Sequence, residues 1–290
     1  MSHLSQNSKY KNNAHLLSPQ KKVKYSDENH QTWQYLYSTQ ILNLQDLAHT
    51  KILECLQEIS LPKNHIPQLD EVSKKLYKKT GWQVYKVVDL IDGELFFQLL
   101  SDRKFPSTLY IRSNDESSLS RDPDIFHELF GHCPALFDEA YANLFQKFGL
   151  LGLQLDQVQR AFLQRLFWFT FETGLIQTKH DLKIYGGSLL SSIKESRYAI
   201  EDVSPLKRNF DMVDIFRTSY RADLLQPVYY IISDFSQLHA MLSDIKSIKK
   251  NIEIAYELGE FSPLFPIEEQ YSKYINYNIC KHMQESLMIA

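Results

Sequence analysis

The stretch PDIFHELFGHCPAL, residues 123–136, places two histidines, His127 and His132, five positions apart. Zinc hydrolases also carry two histidines and a glutamate on one helix, but their histidines stand four positions apart and the glutamate acts as the base. Glu128 would be that base here. At about 100° per residue, positions four apart on an α-helix lie about 40° apart, whereas positions five apart lie about 140° apart. The spacing therefore disfavours a zinc hydrolase.

A metal site built on the two histidines remains compatible with this stretch. One undistorted α-helix cannot direct both imidazoles at one ion. We therefore expect His127 to come from the helix and His132 from its end, where Gly131 and Pro134 would let the backbone turn. The alternative is a pair of polar side chains at an exposed helix end, and the spacing alone does not separate the two interpretations.

A third candidate ligand lies in residues 155–175, which show the clearest helical periodicity of the chain. Apolar residues recur there at steps of three to four, at Val158, Phe162, Leu166 and Phe169. The next step falls on Glu172, within the same arc of about 120°. A carboxylate on an apolar face is unfavourable unless it is paired or binds a metal. Glu172 is therefore either a metal ligand or the partner of Arg165 or Arg197.

Two histidines and one carboxylate with open coordination positions form the facial triad of non-haem Fe(II) oxygenases. His127, His132 and Glu172 supply this ligand set. The residues alone thus favour an iron oxygenase, and a buried ion pair beside two unrelated histidines stays open as the alternative.

Composition and charge argue against several other classes of protein. The 290 residues are 43% hydrophobic and 13% aromatic, which is enough for a sizeable core. The net charge of -3 argues against a nucleic-acid partner, and the apolar runs are far shorter than the roughly 20 residues of a membrane span. Three scattered cysteines without CxxC spacing indicate neither disulfides nor a zinc site. They favour a reduced, cytoplasmic setting.

The pattern of elements predicts a single domain that is mainly α with a few short β-strands. Residues 1–25 are polar and are expected to be disordered. Residues 26–262 are expected to form the domain, and residues 263–290 a helical tail. Within the domain we predict helix over 29–61, in two segments, and over 93–105.

The surroundings of the two histidines allow more specific predictions. Short strands are expected over 82–88 and 108–112. Pro123 suits the first turn of the helix that carries His127, and Ser120 or Asp122 would cap that helix.

Five segments together resemble the pterin-dependent aromatic amino acid hydroxylases, most closely their bacterial phenylalanine 4-monooxygenase branch. They are TLYIR (108–112), PDIFHELFGHCPAL (123–136), FWFTFETGL (167–175), KIYGGSLLSS (183–192) and QPVYY (226–230). The segments follow the family's order at compatible separations, and the similarity extends over residues 26–240. Agreement of several motifs in order and spacing is far more specific than any one of them.

The resemblance implies roles for individual residues. It implies that iron is bound by His127, His132 and Glu172. It implies that Arg112 holds the carboxylate of the amino acid substrate, with further substrate contacts from Ser120, Pro123, Asp124, Trp168 and Ser191. It implies pterin contacts from Leu90, Ile91, Phe96 and Glu128, the last also being a catalytic acid beside the iron. Taken singly, Trp168 and Phe96 could be core residues, and Ser191 could cap the next helix.

The implied reaction converts L-phenylalanine to L-tyrosine with O2, Fe(2+) and tetrahydrobiopterin or a related tetrahydropterin. The alternatives are a tryptophan or broad-specificity aromatic amino acid hydroxylase, and a non-catalytic binding protein of the same fold. Residues 26–262 would be the catalytic hydroxylase domain. We expect it to be a monomer or weak dimer without a regulatory domain, and to have no nucleic-acid or membrane partner.

The chain departs from the family pattern beside the expected substrate pocket. Arg121 replaces a proline ahead of the first histidine, and Thr173 stands where phenylalanine is frequent. The usual pair of small residues after Tyr-Gly is Gly187-Ser188 in this chain. These changes bear on the preferred amino acid and leave the metal ligands intact.

Overall fold

Helices make up most of the part of the chain that the structure, a computed structural model, describes: residues 22–88, 91–113, 122–266 and 275–276. The α-helices are α1 (Asp27–Leu47), α2 (Thr50–Ile59), α3 (Leu69–Thr80), α4 (Gly93–Ser101), α5 (Glu139–Leu153), α6 (Gln157–Phe167), α7 (Gly187–Ser191), α8 (Ile193–Glu201), α9 (Met212–Arg217), α10 (Phe235–Met241) and α11 (Ile245–Leu258). Two π-helices (His127–His132 and Trp168–Glu172) and a 3₁₀ turn (Ala135–Phe137) complete the helical elements of these residues. The predicted fold class, mainly α with a few short strands, is confirmed.

The strands are short and form small sheets. They are β1 (Gln83–Lys86), β2 (Lys104–Ser107), β3 (Leu175–Gln177), β4 (Leu182–Ile184), β5 (Leu206–Asn209), β6 (Tyr220–Arg221), β7 (Val228–Ile232) and β8 (Ile275–Asn276). β1 and β2 pair in parallel, with Gln83 opposite Lys104. The largest sheet has the strand order β4-β3-β7-β5. In it β7 runs parallel to β3 and β5, and β4 is antiparallel to β3.

Local chemistry sets the first helix boundaries. α1 begins at a capping box, in which the Ser26 hydroxyl accepts a hydrogen bond from the Asn29 N–H while the Asn29 side chain accepts one from the Ser26 N–H. α1 and α2 are separated by Ala48 and His49, so the predicted two-segment helix over 29–61 is confirmed. In the described part of the chain, no helix combines the length and the apolar character that crossing a membrane requires.

α1 supports the segment that carries the two histidines. Trp33 packs edge-on against Phe126, and Tyr37 against Phe130, with ring centroids 5.3 Å apart in both pairs. The two phenylalanines stack on each other at 4.7 Å. The buried amide of Gln40 donates hydrogen bonds to backbone carbonyls at the C-terminal end of α7. α1 thereby fixes both the His127–His132 helix and α7, which are in contact with each other.

A contiguous core of buried side chains runs from Trp33 to Ala255. Its aromatic residues lie in layers around α5, where Phe145 and Phe148 both contact Phe171 at 4.6 and 5.6 Å between ring centroids. One core of this extent is what a single domain requires. It supports the predicted domain of residues 26–262, whose boundaries remain a prediction.

The predicted helix over 93–105 is too long at its C-terminal end. α4 ends at Ser101, and Arg103 has φ 57, in the left-handed region that breaks a helix. The Arg103 guanidinium is held by Asn143 Oδ1 at 2.7 Å and by Gln146 Oε1 at 2.9 Å. These contacts to α5 fix a backbone conformation that helical periodicity cannot indicate.

The strand predicted over 108–112 is wrong, because β2 lies four residues earlier, at Lys104–Ser107. After β2 the backbone leaves the sheet. The Arg112 N–H donates its hydrogen bond to the Asp124 carboxylate, at 2.8 Å, and not to a neighbouring strand. A side chain twelve residues away thus takes the place of a strand partner.

The C-terminal tail was expected to be helical, and this does not hold at Ile275–Asn276. These two residues form β8, antiparallel to β6, with Arg221 opposite Ile275. The remaining residues after 266 lie outside the described part of the chain. The same is true of residues 1–21, for which disorder was predicted.

Candidate metal centre

Both segments that carry candidate metal ligands are wound as π-helices. The Cys133 N–H donates to the Glu128 carbonyl at 3.3 Å, and the Thr173 N–H donates to the Trp168 carbonyl at 2.8 Å. Each bond joins residues five positions apart, which is the pattern of a π-helix. Residues five apart therefore fall on one face, and His127 and His132 project from the same side of one helix.

The expectation that His132 comes from a turned helix end is therefore wrong. The backbone remains helical through Cys133, with φ -58° and ψ -34°. The prediction assumed about 3.6 residues per turn. In the wider turn of a π-helix, histidines five positions apart can bind the same ion. The histidines are not exposed polar residues either, since His132 is only 2% exposed.

The two histidines and Glu172 converge on one point. The Nε2 atoms of His127 and His132 are 3.1 Å apart, and Oε2 of Glu172 lies 3.2 Å from His132 Nε2 and 3.7 Å from His127 Nε2. The point equidistant from these three atoms lies about 1.9 Å from each of them, so the usual metal–nitrogen and metal–oxygen distances of about 2.0–2.2 Å would let all three bind one ion. The three atoms fit one face of a metal's coordination sphere.

The alternative of a buried pair between Glu172 and an arginine is wrong. Arg165 Nη2 lies 2.7 Å from a carboxylate oxygen of Glu260, and Arg197 Nη1 lies 3.0 Å from Glu201. Both guanidinium groups are engaged elsewhere. The inward face of this helix therefore presents Glu172 to the histidines.

A second carboxyl group, that of Glu128, also lies beside the histidines. One oxygen of Glu128 is within 4.8 Å of ring nitrogens of both His127 and His132. Burial, with the carboxylates of Glu172 and Asp124 nearby, raises the pKa of Glu128 well above its ordinary value. Burial acts in the same direction on Glu172, but the adjacent His132 and His127 and two hydrogen bonds lower the pKa of Glu172 to about 2. The anionic Glu172 is thus the better metal ligand, and Glu128 is the better proton donor.

The hydroxyl of Ser191 sets the orientation of the His127 ring. It lies 3.0 Å from His127 Nδ1 and donates its own proton to the Gly187 carbonyl at 2.9 Å. The hydroxyl therefore accepts from Nδ1–H, which leaves the Nε2 lone pair towards His132 and Glu172. Burial lowers the pKa of His127 to about 4, so the ring is neutral near pH 7. A neutral imidazole with a free Nε2 lone pair is the form that binds metals.

Ser191 was predicted to contact the substrate, with helix capping as its alternative. The capping alternative is wrong, because the cap of α8 is Ser192, whose hydroxyl accepts a hydrogen bond from the Glu195 N–H at 3.2 Å. Ser191 itself is 2% exposed and faces His127. A direct role at the substrate stays a prediction.

Arg112 and Asp124 form a buried pair next to the first histidine. Their side chains are 2% and 0% exposed, and the guanidinium binds the carboxylate through Nε at 2.9 Å and Nη2 at 2.7 Å. Arg112 also donates through Nη1 to the Ser191 carbonyl at 3.3 Å. Burial raises the pKa of Asp124, but the Arg112 charge and hydrogen bonds outweigh it and hold that pKa below its ordinary value.

The helix that carries His127 is capped by Asp124. The Oδ1 atom of Asp124 accepts a hydrogen bond from the His127 N–H at 3.0 Å. Pro123 precedes the helix and is not in its first turn, so the predicted cap at Asp122 is wrong and the one at Ser120 lies outside the described residues. The Asp124 carboxylate, for which a substrate contact was predicted, therefore binds the helix end and the Arg112 side chain.

Trp168, predicted as a wall of the substrate pocket, is fixed by two partners. Its ring stacks on Tyr220 at 4.5 Å with only 5° between the planes. Its Nε1–H donates to Gln226 Oε1 at 3.1 Å. Trp168 is the first residue of the π-helix that ends at Glu172, so the same short helix positions both side chains.

Two of the predicted pterin contacts, Phe96 and Ile91, pack against apolar side chains, whereas a third, Glu128, lies beside the histidines. Phe96 on α4 packs edge-on against Phe167 at 5.1 Å, and Phe167 packs against Phe145, which in turn contacts the His132 ring at 6.2 Å. Ile91 packs on the small cluster of Val87, Leu95 and Leu99. Leu90 lies outside the described residues. Contacts of these side chains with a pterin remain a prediction.

Buried polar groups behind Trp168 were not found from the sequence. Gln226 holds the indole, and its backbone N–H donates to Glu195 Oε1 at 3.1 Å. Tyr229 donates to the same oxygen at 2.9 Å. Gln226 and Tyr229 both lie in the motif QPVYY. The sequence feature that could have indicated these buried polar groups is a polar residue directly before a buried strand.

Glu195 is expected to make the stability of the fold depend on pH. Burial raises the pKa of this carboxyl group to about 7, against partial compensation from its two hydrogen bonds. A carboxyl group whose pKa is raised by folding stabilises the protein below its unfolded pKa, and that stabilisation is lost as pH rises towards the folded pKa. Relative to Glu195→Gln, the wild-type free energy of unfolding should therefore fall by about 3 kcal/mol between about pH 4.5 and pH 7. Urea denaturation of both proteins across this range measures it, and parallel pH profiles would contradict it.

Comparisons with known proteins agree with this geometry. A profile of the family described as biopterin-dependent aromatic amino acid hydroxylase matches residues 3–286. The phenylalanine-4-hydroxylase of Pseudomonas aeruginosa is 38% identical over 244 residues, which are 84% of this chain and 92% of that protein. The structure of phenylalanine hydroxylase from Legionella pneumophila superposes with a TM-score of 0.80 at 42% identity, over 86% of this chain and 98% of that one. The Chromobacterium violaceum enzyme with bound oxidized Fe(III) superposes with a TM-score of 0.81 at 32% identity, over 88% and 92%.

Proposed function

The chain belongs to the biopterin-dependent aromatic amino acid hydroxylases, and we propose that it hydroxylates the ring of L-phenylalanine to L-tyrosine with O2. The observation that carries this proposal is the convergence of His127 Nε2, His132 Nε2 and Glu172 Oε2 within 3.7 Å of one another. Two imidazoles and one carboxylate would hold Fe(II) and leave it coordination positions for other ligands. That is the arrangement an oxygenase needs.

His127, His132 and Glu172 would hold Fe(II). When bound together, Fe(II) and a tetrahydropterin supply the electrons that activate O2 for attack on an aromatic ring. The protein orients the ligands through Ser191, which fixes the His127 ring, and it keeps them within a buried aromatic layer. Exclusion of water by this layer protects the reactive site from side reactions.

Arg112 is the proposed anchor of the substrate carboxylate. Asp124 occupies the Nε–Nη2 edge of its guanidinium. Nη1 also donates to the Ser191 carbonyl at 3.3 Å, so the remaining protons on Nη1 and Nη2 are the ones proposed to bind the substrate carboxylate. Trp168 would form a wall for the substrate ring, held in place by Tyr220 and Gln226. Pro123, Ser120 and Ser191 are proposed further contacts, in keeping with their motif positions.

Glu128 is proposed to hold a proton beside the pterin and the iron. Its raised pKa favours a neutral carboxyl group, which can donate a hydrogen bond. Phe96 would stack on the pterin ring, and Leu90 and Ile91 would contact its edge. These assignments rest on the resemblance of the surrounding motifs.

Coupled turnover with phenylalanine, tryptophan and tyrosine side by side tests the substrate. The metal-stripped protein is loaded anaerobically with Fe(II) and then given O2 and tetrahydrobiopterin. We expect tyrosine to form from phenylalanine with a kcat/KM at least about ten-fold above the value for tryptophan, a difference that one pocket can provide. Preference for tryptophan would support the alternative substrate, and binding without turnover would support a non-catalytic protein. Zinc with pterin-independent hydrolysis would contradict the proposal altogether.

We also propose that residues 26–262 are the catalytic domain, that the protein is a monomer or weak dimer, and that it acts in the cytoplasm. The contiguous core supports the domain. Cys55 and Cys133 are free and buried, in keeping with a reducing compartment. Light scattering behind a sizing column measures the oligomeric state.

A further inference from the structure

The short helix α7 touches all three candidate metal ligands. Gly187 packs against the His132 ring so closely that an added Cβ would overlap the imidazole. The Ser188 hydroxyl donates to Glu172 Oε2 at 2.8 Å, and the Ser191 hydroxyl faces His127 Nδ1 at 3.0 Å. Three of the five residues of α7 thus contact one ligand each. The contacts of Gly187 and Ser191 concern the histidine rings, and that of Ser188 concerns the carboxylate.

We propose that Ser188 is a positioning residue that orients the Glu172 carboxylate for metal binding. The inference rests on the proposed metal centre and deepens it. The residue is one of this chain's departures from the family pattern, in the Gly187-Ser188 pair. The proposal therefore gives a role to the Ser188 side chain, where the resemblance indicates only a small residue.

The position of the hydrogen bond gives Ser188 this task. Its acceptor, Oε2, is the same oxygen that lies 3.2 Å from His132 Nε2 and 3.7 Å from His127 Nε2. Among the described residues, Ser188 is the sole hydrogen-bond partner of the Glu172 carboxylate besides His132. A donor on one lone pair of Oε2 leaves the other directed at the point where the histidines converge. Without it, the carboxylate is free to rotate about its last side-chain bond.

Binding of Co(II) to the metal-stripped protein tests the proposal without any turnover. The visible d–d absorption of Co(II) reports both affinity and coordination geometry. We expect Ser188→Ala to weaken Co(II) binding by roughly 10–100-fold, the range found for residues that orient metal ligands, and to change the absorption spectrum. Ser188→Thr retains the hydroxyl at a half-buried position and should retain most of the affinity. Ser38→Ala is the matched control, since that exposed hydroxyl donates to the Gln34 carbonyl of its own helix.

A double-mutant cycle with Glu172→Ala separates positioning from a general structural effect. If Ser188 acts through the carboxylate, its replacement has no further effect on Co(II) affinity once Glu172 is gone. An undiminished effect in that background would overturn the proposal, and so would wild-type affinity and spectrum in Ser188→Ala. Failure of the wild-type protein to bind Co(II), or retention of binding after loss of His127, would instead overturn the proposed metal centre itself.

Discussion

Glu172→Ala is expected to abolish pterin-dependent ring hydroxylation and to remove most of the bound iron. The variant lacks the carboxylate, which is the anionic member of the triad, and burial favours the neutral form of His127. Two imidazoles remain, with their Nε2 atoms 3.1 Å apart and no negative charge to offset that of Fe(II). The loss of affinity should exceed the roughly 10–100-fold effect of residues that merely orient a ligand. Product formation should fall to background.

Three measurements decide this prediction. Iron content after anaerobic loading, tyrosine formation with tetrahydrobiopterin, and circular dichroism of the metal-free protein are compared with wild type. Glu253→Ala, at an exposed position on α11, is the matched control and should retain full activity. Full pterin-dependent turnover by Glu172→Ala would refute the assigned ligand set, and Glu128 would then be the carboxylate to test.

The sequence predicted the candidate ligand set, but it did not predict the π-helices that bring the three side chains together. Periodicity identified Glu172 because apolar residues at helical steps record burial directly. The same reasoning failed for His132, because a π-helix leaves no mark in the apolar pattern of a six-residue segment. Both α7 and α1, which are distant along the chain, pack against this segment. Single-sequence rules contain no information about such contacts.

Side-chain partners that are distant along the chain were likewise beyond sequence reasoning. Gln226 and Trp168 are 58 positions apart, and Ser188 and Glu172 are 16 apart. The wrong strand prediction over 108–112 also involves a distant side chain, since the Arg112 N–H donates to the Asp124 carboxylate and not to a neighbouring strand. Compositional and helical signals therefore sufficed for the fold class, whereas the hydrogen bonds that orient the site required the structure.

Asp124→Ala is expected to lower both the stability of the fold and the affinity for the amino acid. The carboxylate accepts hydrogen bonds from the Arg112 side chain and backbone, and from the His127 N–H. Its removal leaves a guanidinium that is 2% exposed without its counter-charge, and breaking a buried pair in this way costs about 3–5 kcal/mol. Arg112 would also lose its fixed orientation. KM for phenylalanine should therefore rise, and kcat should fall.

Urea denaturation and steady-state kinetics of Asp124→Ala and Asp124→Asn separate the two effects. Asparagine can still cap the His127 helix, so it should recover part of the stability without restoring substrate affinity. Asp46→Ala, at an exposed position, controls for loss of a surface charge.

Because folding lowers the pKa of Asp124, the stabilisation that this carboxylate contributes is complete above the unfolded pKa of about 3.9 and is lost as pH falls through the folded pKa. The wild-type stability should therefore decline more steeply in acid than that of Asp124→Asn. Equal acid profiles, or an unchanged KM in Asp124→Ala, would show that the pair does not hold Arg112 for the substrate.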